Sequence, residues 1–392
     1  MFAAITCAEA NPHRRVIVLE KGASLLAKVR ISGGGRCNVT HACFDPKQLV
    51  KNYPRGSREL LGPFHRWQPR DTVAWFESRG VPLKTEEDGR MFPVTDSSQT
   101  IVDCLLNSAK RAGVEVRLGV GLVAARSTIS GGFELDLSDG SSLACSRLLI
   151  AAGGLKPGPL VEMIKSFGHT ITPLAPSLFT FHVRDPRIEG LMGLSVPQAE
   201  ASILGTKFAH QGPLLITHWG LSGPAILKLS AWAACWAQER DYRFTVRLNW
   251  NGTSEQDARA AIESARKNFA SRQVRKASLL ELPTRLWERL VSAAGIPDLM
   301  PWSQLRREQA SALVTQLTAC DLPVTGKSMF KEEFVTSGGV ALTEIDFKTM
   351  GSRLVPGLHF AGEVLDIDGV TGGFNFQAAW TGGRLAGLAM AE

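Results

Sequence analysis

Three consecutive glycines, Gly33, Gly34 and Gly35, lie in the stretch KVRISGGGRCNVT and are followed by Arg36. Glycine loses more backbone entropy on folding than any other residue, so such a run indicates a turn that approaches a ligand closely. Successive amide N–H groups in the turn can bind an anion, and a guanidinium can add a charge-assisted bond to phosphate. A flexible surface turn is the alternative, which the apolar neighbours on both sides disfavour. The stretch predicts a phosphate-bearing cofactor.

A second glycine-rich stretch occupies residues 357–387. A short apolar strand is predicted to end at Gly362 and Glu363, and Gly372 with Gly373 opens a helix. The small residues of this helix allow close packing against a sheet, although a glycine inside a helix costs about 1 kcal/mol relative to alanine. Because a helix N-terminus stabilises negative charge, the start of this helix suits the pyrimidine side of a reduced flavin.

Two other strand ends are candidates for the same ligand. Glu20 follows the predicted strand 15–19, and a carboxylate there can accept hydrogen bonds from ribose hydroxyls; a solvated loop is the alternative. Residues 148–154 form a buried strand that ends in small residues, over which a ligand can lie. Residues 1–10 are predicted to be a helix. A complete dinucleotide-binding unit begins with a strand and G-x-G-x-x-G, so the start resembles the second half of such a unit.

His218, in THWGLSGPAIL, is a candidate proton donor because histidine titrates near neutral pH. A structural histidine held by hydrogen bonds is the alternative. The residues that follow, Ser222, Gly223 and Pro224, predict a helix start with serine as the N-cap and proline in the first turn.

The predicted elements alternate between strand and helix over the first 154 residues, which is typical of an α/β domain. They are helices at 71–79 and 98–112, strands at 114–118, 147–151 and 358–361, and a hairpin of 133–137 with 142–145. From about residue 173 short strand-like runs indicate a β-rich module, and residues 256–317 are predicted to form several helices. We therefore predict an α/β cofactor domain, residues 1–172 and 334–392, interrupted by an inserted β-rich and helical domain, residues 173–333.

The composition, with 44% hydrophobic and 21% charged residues, is ordinary for a globular protein. No apolar run reaches the ~20 residues that span a bilayer and no signal peptide is visible, so we expect no membrane association and a cytoplasmic location. A shortened start could hide a targeting segment. The seven scattered cysteines indicate reduced thiols. Cys37, His41 and Cys43 lack a second ligand pair with zinc spacing, so no metal site is predicted.

The net charge of +7 is concentrated partly in residues 240–307 and most densely in residues 265–276. A solvated helix face is the favoured interpretation, and an RNA or phosphate surface is the alternative. Aromatic residues do not alternate with the basic ones there, as a stacking platform would require. We expect a small organic molecule as the partner, with nucleic acid less favoured and the oligomeric state open.

Five long stretches together resemble the BaiN-type (YhiN-like) family of FAD-dependent oxidoreductases. They are ISGGGRCNVT, FPVTDSSQTIVD, GPLLITHWGLSGPAIL, VTSGGV and GEVLDIDGVTGGFNFQAAWTGG. They occur in the family's order and span nearly the whole chain. The resemblance implies a glutathione-reductase-like, Rossmann-type FAD domain that is split by an inserted β-rich domain with a helical part. It also implies FAD as the cofactor, with NAD(P)H as a candidate co-substrate.

The resemblance implies particular contacts. It places Glu20 on the adenosine ribose, the backbone of Leu122 at the adenine, residues 32–38 along the pyrophosphate and flavin, and residues 373–377 at the pyrimidine edge. The full implied cofactor-binding set is Glu20, Lys21, Lys28, Ser32, Gly33, Gly34, Gly35, Arg36, Cys37, Asn38, Leu122, Ala152, Gly153, Gly154, Gly362, Glu363, Gly372, Gly373, Phe374, Asn375, Phe376 and Gln377.

Two departures from the family pattern stand out. The family begins with an apolar strand and G-x-G-x-x-G, and it has a longer glycine-rich loop where residues 154–170 lie in this chain. Glu363 also replaces the aspartate that is usual in related enzymes. Without the first strand and its turn we expect weaker flavin binding and a less stable domain.

The expected function is that of an FAD-dependent oxidoreductase that uses NAD(P)H to reduce an organic substrate. One branch of the family reduces carbon–carbon double bonds in oxo-steroids, and His218 would serve as the acid. Two alternatives remain open. One is a flavin-free remnant of the fold that acts as a binding protein, and the other is an RNA-associated protein.

Overall fold

A computed structural model describes residues 1–129, 131–328 and 335–392. Its α-helices are α1 Phe2–Ala10, α2 Ala27–Gly35, α3 Pro46–Leu49, α4 Ser57–Arg66, α5 Pro69–Glu77, α6 Ser98–Arg111, α7 Pro159–Ser166, α8 Pro224–Trp232, α9 Ala234–Gln238, α10 Glu255–Asn268, α11 Thr284–Ala293, α12 Arg307–Thr318 and α13 Phe374–Ala391.

The β-strands are mostly short. They are β1 Ile17–Glu20, β2 Thr40–His41, β3 Leu83–Thr85, β4 Arg90–Pro93, β5 Glu115–Leu118, β6 Leu122–Ser127, β7 Phe133–Leu137, β8 Ser142–Cys145, β9 Leu148–Ile150, β10 Ala175–Ser177, β11 Phe181–Val183, β12 Ser195–Ile203, β13 Ala209–Thr217, β14 Gly220–Ser222, β15 Phe244–Asn249, β16 Cys320–Lys327, β17 Val335–Ser337, β18 Ile345–Asp346, β19 Gly351–Ser352 and β20 Leu358–Phe360.

The chain divides into two compact units. The first unit comprises Met1–Ala175 and Lys331–Glu392, and the second unit comprises Pro176–Phe330. The domain boundary predicted at residue 334 lies outside the described residues, because 329–334 are not described. In the described parts of the chain, no helix has both the length and the apolarity that crossing a membrane requires.

Parallel strand pairs form the centre of the first unit. β1 pairs with β5, with Ile17 opposite Glu115, and β9 pairs with β20, with Leu148 opposite Leu358. β20 continues through the antiparallel β19 to β18, and no described strand joins β1 to β9. Ligands of open α/β sheets bind beyond the carboxyl ends of the parallel strands. The ends of β1, β9 and β20 are therefore where a cofactor is expected.

Small residues on α13 let two helices of the first unit pack closely. A Cβ atom at Gly387 would lie 2.5 Å from the carbonyl oxygen of Ala3 in α1 and 2.7 Å from the Cβ of Thr6. On the neighbouring face, a Cβ at Gly382 would lie 3.7 Å from the Cβ of Ala361, next to β20. The expected packing against the sheet therefore occurs at Gly382. The close packing against α1 was not predicted, because α1 and α13 lie at opposite ends of the chain.

The second unit contains a closed antiparallel barrel in the order β11-β14-β13-β12-β15-β16. Alternate residues of β15, Val246 and Leu248, point into its interior and are fully buried. Helices α10, α11 and α12 form a separate cluster in this unit, in which the buried rings of Trp287 and Trp302 lie 6.2 Å apart. The predicted change from α/β to β-rich and then helical sequence is thus seen in the structure.

Most predicted elements are confirmed, with ends shifted by a few residues. The predicted hairpin is formed by β7 and β8, with Phe133 opposite Cys145. The predicted serine cap of α8 is wrong, because Gly223 is the N-cap, with a φ of 91°. A Cβ at Gly223 would lie 2.8 Å from the oxygen of Pro213 and 2.9 Å from the nitrogen of Leu215, so only glycine fits there.

Candidate functional site

The triple-glycine turn interrupts helix α2 of the first unit. Gly33, Gly34 and Gly35 adopt φ values of 57°, 67° and 82°, the left-handed region that favours glycine. A Cβ at Gly33 would lie 3.0 Å from the backbone nitrogen of Asn38. At Gly34 and Gly35, by contrast, no atom of a described residue beyond the adjoining backbone lies within 4 Å of such a position. These two residues therefore present bare backbone to open space, as close approach of a ligand requires.

Asn38 joins this turn to the start of α13. With its amide oriented to satisfy both neighbours, its oxygen accepts from the Gly373 N–H at 2.9 Å and its nitrogen donates to the Thr40 oxygen at 3.0 Å. Gly373 is the N-cap of α13, with a φ of 91°, and a Cβ there would lie 2.5 Å from the Thr40 oxygen. Gly372 precedes it with a φ of 131°. The glycine turn and the helix start are thus one assembly.

The first side chains of α13 are engaged within the protein. The Phe374 ring stacks on the imidazole of His41, with centroids 4.6 Å apart. The Asn375 amide donates to the oxygen of Gly369 and accepts from its N–H, both at 2.8 Å. These contacts hold the loop before the helix in place.

The next two side chains are engaged in the same way. Phe376 stacks on Trp380, with centroids 5.6 Å apart. Gln377 is buried, and its Oε1 accepts from the Thr40 hydroxyl at 2.6 Å. Because these side chains are engaged within the protein, residues 373–377 would contact a flavin through their main chain.

The main chain at the start of α13 offers free donors. The first intrahelical bond of this helix joins the Gln377 N–H to the Gly373 oxygen at 3.0 Å. The N–H groups of residues 374–376 precede it and have no acceptor within the helix. Because they also lie at the positive end of the helix dipole, they can bind a group that carries negative charge.

The end of β1 brings three predicted residues together. Glu20 closes this strand, and its Oε1 accepts from the Gly22 N–H at 2.6 Å. The Lys21 side chain lies against Gly121, where a Cβ would lie 3.3 Å from the Lys21 Cγ. Leu122 follows directly and begins β6. The segment expected at the adenine is thus adjacent to the residue expected at the ribose.

The ends of β9 and β20 meet at an ion pair. Lys28 pairs with Glu363, which follows β20, and the Thr336 N–H donates to the Glu363 Oε1 at 2.8 Å. A Cβ at Gly154 would lie 2.7 Å from the same Oε1. Both carboxylate oxygens of Glu363 therefore have protein partners, and Gly153, with a φ of 77°, lies beside them: a Cβ there would be 3.9 Å from both the Glu363 Oε2 and the Lys28 Nζ.

Three residues of the glycine turn have roles other than the expected ligand contacts. Arg36 pairs with Glu86 at 2.6 Å, and this hydrogen bond raises the pKa of the guanidinium. Cys37 is fully buried, and burial raises the pKa of its thiol to about 12. The Ser32 hydroxyl donates to the Val29 oxygen at 2.8 Å. Arg36 therefore meets a carboxylate where the sequence indicated a phosphate.

A buried ion pair behind the site was missed by sequence reasoning. Asp368 is fully buried and forms a two-pronged pair with Arg55. Nearby, the Asp366 Oδ1 accepts from the Gly338 N–H at 3.1 Å, and burial raises the pKa of this carboxyl. The available signal was the placement of two aspartates within the apolar run VLDID, since a charge in a buried segment requires a partner.

Comparison with known proteins assigns the chain to a protein family. The family model described as "HI0933-like protein Rossmann domain" matches residues 1–389. The chain belongs to this family. The predicted family and the predicted Rossmann-type FAD-binding fold are thereby confirmed.

Two curated relatives align with almost the whole HI0933-like chain. It is 32% identical over 390 residues to the ribosomal RNA dihydrouridine synthase of Escherichia coli (strain K12), and this alignment covers 97% of this chain and 92% of the relative. It is 27% identical over 401 residues to the 3-dehydro-bile acid delta(4,6)-reductase of Clostridium scindens, and this alignment covers 100% of this chain and 96% of the relative.

Among solved structures, the chain is similar to 3-ketosteroid-delta4-(5alpha)-dehydrogenase from Rhodococcus jostii RHA1 in complex with 4-androstene-3,17-dione. The TM-score is 0.52 at 13% identity, over 100% of this chain and 94% of that one. At this identity the likeness shows the fold alone. Family and fold together make the chain an FAD-dependent oxidoreductase, as predicted.

The first unit fits the FAD that this family implies. The pyrophosphate of a dinucleotide is bound by backbone N–H groups. The open backbone of Gly34 and Gly35 and the N–H groups of residues 374–376 can provide them. The ammonium of Lys28, paired with Glu363, lies beside Gly153. Ala152 and Gly362 lie just beyond the ends of β9 and β20, in the sequence positions predicted for cofactor contact.

His218 lies in the second unit, in the turn between β13 and β14. Its side chain is exposed and forms no hydrogen bond with any described residue. No contact among the described residues therefore supports the alternative of a structural histidine held by hydrogen bonds. Among the residues that the structure describes, no group of three or more His, Cys, Asp and Glu side chains could hold a metal ion.

Proposed function

We propose that the chain is an NAD(P)H-linked, FAD-dependent reductase of a carbon–carbon double bond conjugated to a carbonyl, and that its substrate is uridine in RNA. The observation that carries the proposal is the start of α13, where the N–H groups of residues 374–376 are free to stabilise negative charge on a bound cofactor. The names of the two relatives, a dihydrouridine synthase and a bile acid reductase, support saturation of a double bond.

The two kinds of substrate share one chemistry. Uridine becomes dihydrouridine when hydride and a proton add across C5=C6, which is conjugated to the C4 carbonyl. An enone of an oxo-steroid accepts the same pair of additions. FAD held by the first unit would supply the hydride chemistry, with NAD(P)H as the reductant. The protein must then bind the cofactor, orient the ring and provide the proton.

In this proposal the first unit binds FAD. Glu20 would accept from the ribose hydroxyls, because its Oε2 is not used by the hydrogen bond from Gly22. The bare backbone of Gly34 and Gly35 would receive the pyrophosphate, with Lys28 as the nearby cation. The start of α13 would stabilise the negative charge on the pyrimidine side of the flavin.

For the proton we propose the imidazole of His218. It is exposed and forms no described hydrogen bond that would have to break first. A positioned general acid contributes typically about 10²–10⁴-fold to the rate. His218→Gln is therefore expected to lower kcat by a factor in this range while leaving FAD affinity unchanged.

RNA is preferred over a steroid on two grounds. The dihydrouridine synthase is the more similar of the two relatives described. The second unit, residues 176–330, contains 18 Lys and Arg against 13 Asp and Glu. An excess of positive charge on one unit favours a polyanion, because neutralising phosphates releases counterions.

The test is product analysis with two substrates. The FAD-loaded protein is incubated with NADPH or NADH and either an unmodified ribosomal RNA transcript or 4-androstene-3,17-dione. Dihydrouridine is then quantified by mass spectrometry of the digested nucleosides. We expect dihydrouridine in the RNA and no reduced steroid.

Reduction of the steroid alone would leave the reductase chemistry in place and overturn the choice of RNA. Failure to reduce either substrate, although NAD(P)H bleaches the bound flavin, would overturn the proposed double-bond reduction. The His218→Gln variant, assayed in parallel, separates loss of the proton donor from loss of the cofactor.

A further inference from the structure

The hairpin between β13 and β14 presents an unusual turn. Thr217 pairs with Gly220, so His218 and Trp219 alone form the connection. Two-residue hairpin turns favour Asn and Gly. Here the turn carries a tryptophan with 51% of its surface exposed. A single exposed apolar residue means little by itself, so its surroundings decide the interpretation.

The Trp219 ring is held by the barrel. It stacks on the His182 imidazole of β11, with centroids 5.6 Å apart and planes inclined by 20°. The Trp219 carbonyl accepts from the Val183 N–H at 3.0 Å. Gly220 brings the two strands together, since a Cβ there would collide with the backbone of Phe181 and Val183. The stacked pair is thus pre-organised by closure of the barrel.

Positive charge flanks the stacked pair. Burial lowers the pKa of His182, and the positive charges of Arg184 and Lys327 lower it further, which shows that both cations lie near the ring. Arg184 is exposed, and no described carboxylate pairs with it. The acid next to it, Asp185, is committed to Arg187 at 2.7 Å. Arg184 is therefore not neutralised by that acid.

An exposed aromatic face beside Arg184, which no described carboxylate neutralises, fits a planar ring that is joined to a negative charge. We propose that Trp219 and His182 form a stacking site for a nucleobase of single-stranded RNA, with Arg184 contacting an adjacent phosphate. Base stacking on aromatic side chains tolerates any base, so this site would bind a nucleotide of the RNA without selecting its base. The inference rests on the proposed function, in that it takes RNA as the substrate.

The test measures binding rather than turnover. The FAD-loaded protein is titrated into a fluorescein-labelled, single-stranded, uridine-rich RNA of 12 nucleotides, and fluorescence anisotropy gives the Kd. Loss of one stacked base weakens binding roughly 5- to 140-fold, so Trp219→Ala is expected to raise the Kd by a factor in this range. Trp219→Phe is expected to recover most of the affinity, because it keeps an aromatic face.

Two controls separate stacking from charge and from position. Heparin, a polyanion without bases, should bind the wild type and Trp219→Ala equally. Arg184→Gln should lower the salt dependence of log Kd on the RNA by roughly 0.7, the value for one phosphate contact on a single strand. Lys207→Gln removes an exposed charge beyond the other end of the nine-residue strand β13, roughly 27 Å away, and should leave the slope and the Kd unchanged.

Unchanged RNA affinity in Trp219→Ala would overturn the stacking site while leaving the proposed function intact. Equal loss of heparin and RNA affinity in that variant would also overturn it, since bases would then not be involved. Absence of RNA binding by the wild-type protein, with flavin bound, would overturn both this site and RNA as the substrate.

Discussion

In the first unit the groups available to a ligand are mainly those of the backbone, whereas in the second unit they are side chains. The turn at Gly34 and Gly35 and the start of α13 offer N–H groups, and the nearby side chains of Phe374 and Gln377 are engaged in packing. In the second unit a closed barrel displays His218 and Trp219 at a hairpin turn.

The proposed function explains this difference, because it assigns the cofactor to the first unit and the substrate ring to the second. Main-chain N–H groups bind phosphate whatever the neighbouring side chains, provided that glycine lets the backbone come close. Selecting a substrate ring instead requires particular side chains at defined positions. We therefore expect substitutions in the first unit to affect cofactor binding through backbone geometry, and substitutions in the second unit to affect substrate binding without loss of the cofactor.

The largest effect is expected from Gly373→Ala. The added Cβ would lie 2.5 Å from the Thr40 oxygen at a φ of 91°, so the start of α13 must move away from Asn38. We expect at least tenfold weaker FAD binding and about 2–4 kcal/mol lower free energy of unfolding. Flavin fluorescence titration and urea denaturation measure the two effects.

The matched control for this prediction is Gly113→Ala, just after α6. Gly113 also has a left-handed φ, of 74°, but no atom lies within 4 Å of its would-be Cβ. Backbone strain alone should cost about 1–2 kcal/mol there and leave FAD affinity unchanged. Equal FAD affinities of the two variants would contradict the backbone-built site.

A comparable effect on stability, with less on the cofactor, is expected from Arg55→Met. Asp368 would stay fully buried but lose the guanidinium that neutralises it, and removing one charge of a buried ion pair costs about 3–5 kcal/mol. Thermal unfolding of the first unit should therefore begin at a lower temperature.

The control is a more exposed ion pair in the second unit, formed by Arg266 and Glu263 at 3.1 Å. Arg266→Met breaks this pair and should cost less than about 1 kcal/mol. Similar losses from both variants would argue against burial as the cause.

The smallest effect concerns acid stability of the first unit. Burial alone would raise the pKa of Glu344, but hydrogen bonds from the Thr170 N–H and from His169, at 2.8 Å, outweigh it and lower the pKa. Because the folded value is depressed, this stabilisation is present above the unfolded pKa of about 4.3 and is lost as the pH falls through the folded value.

Glu344→Gln should therefore reduce stability at pH 7 and flatten its decline below about pH 4.3, measured as Tm against pH. Glu162→Gln, on the exposed surface of α7, is the control and should leave the profile unchanged. An unchanged profile for Glu344→Gln would show that this carboxylate does not contribute to acid unfolding.

Much of the first unit could be read from the sequence, because its function depends on glycines and on strand ends that are local in the chain. The sequence predicts that Gly33–Gly35, Gly372 and Gly373 form turns, and all five have the positive φ values that favour glycine. The contacts that link them could not be predicted. Asn38 reaches Gly373 and Lys28 reaches Glu363 across more than 330 residues of sequence, and Arg36 pairs with Glu86, 50 residues away.

The alternating α/β pattern and the glycine turns were predictable from short stretches of sequence, since they follow from hydrophobic periodicity and backbone entropy, and the family was predictable from five resembling motifs. Only the tertiary structure decided which side chains meet. The stack of His182 on Trp219 and the burial of Asp368 against Arg55 join residues that are distant in the chain. The physical reason is that strand pairing and helix packing bring such residues together, and no local preference records where a strand or helix will find its partner.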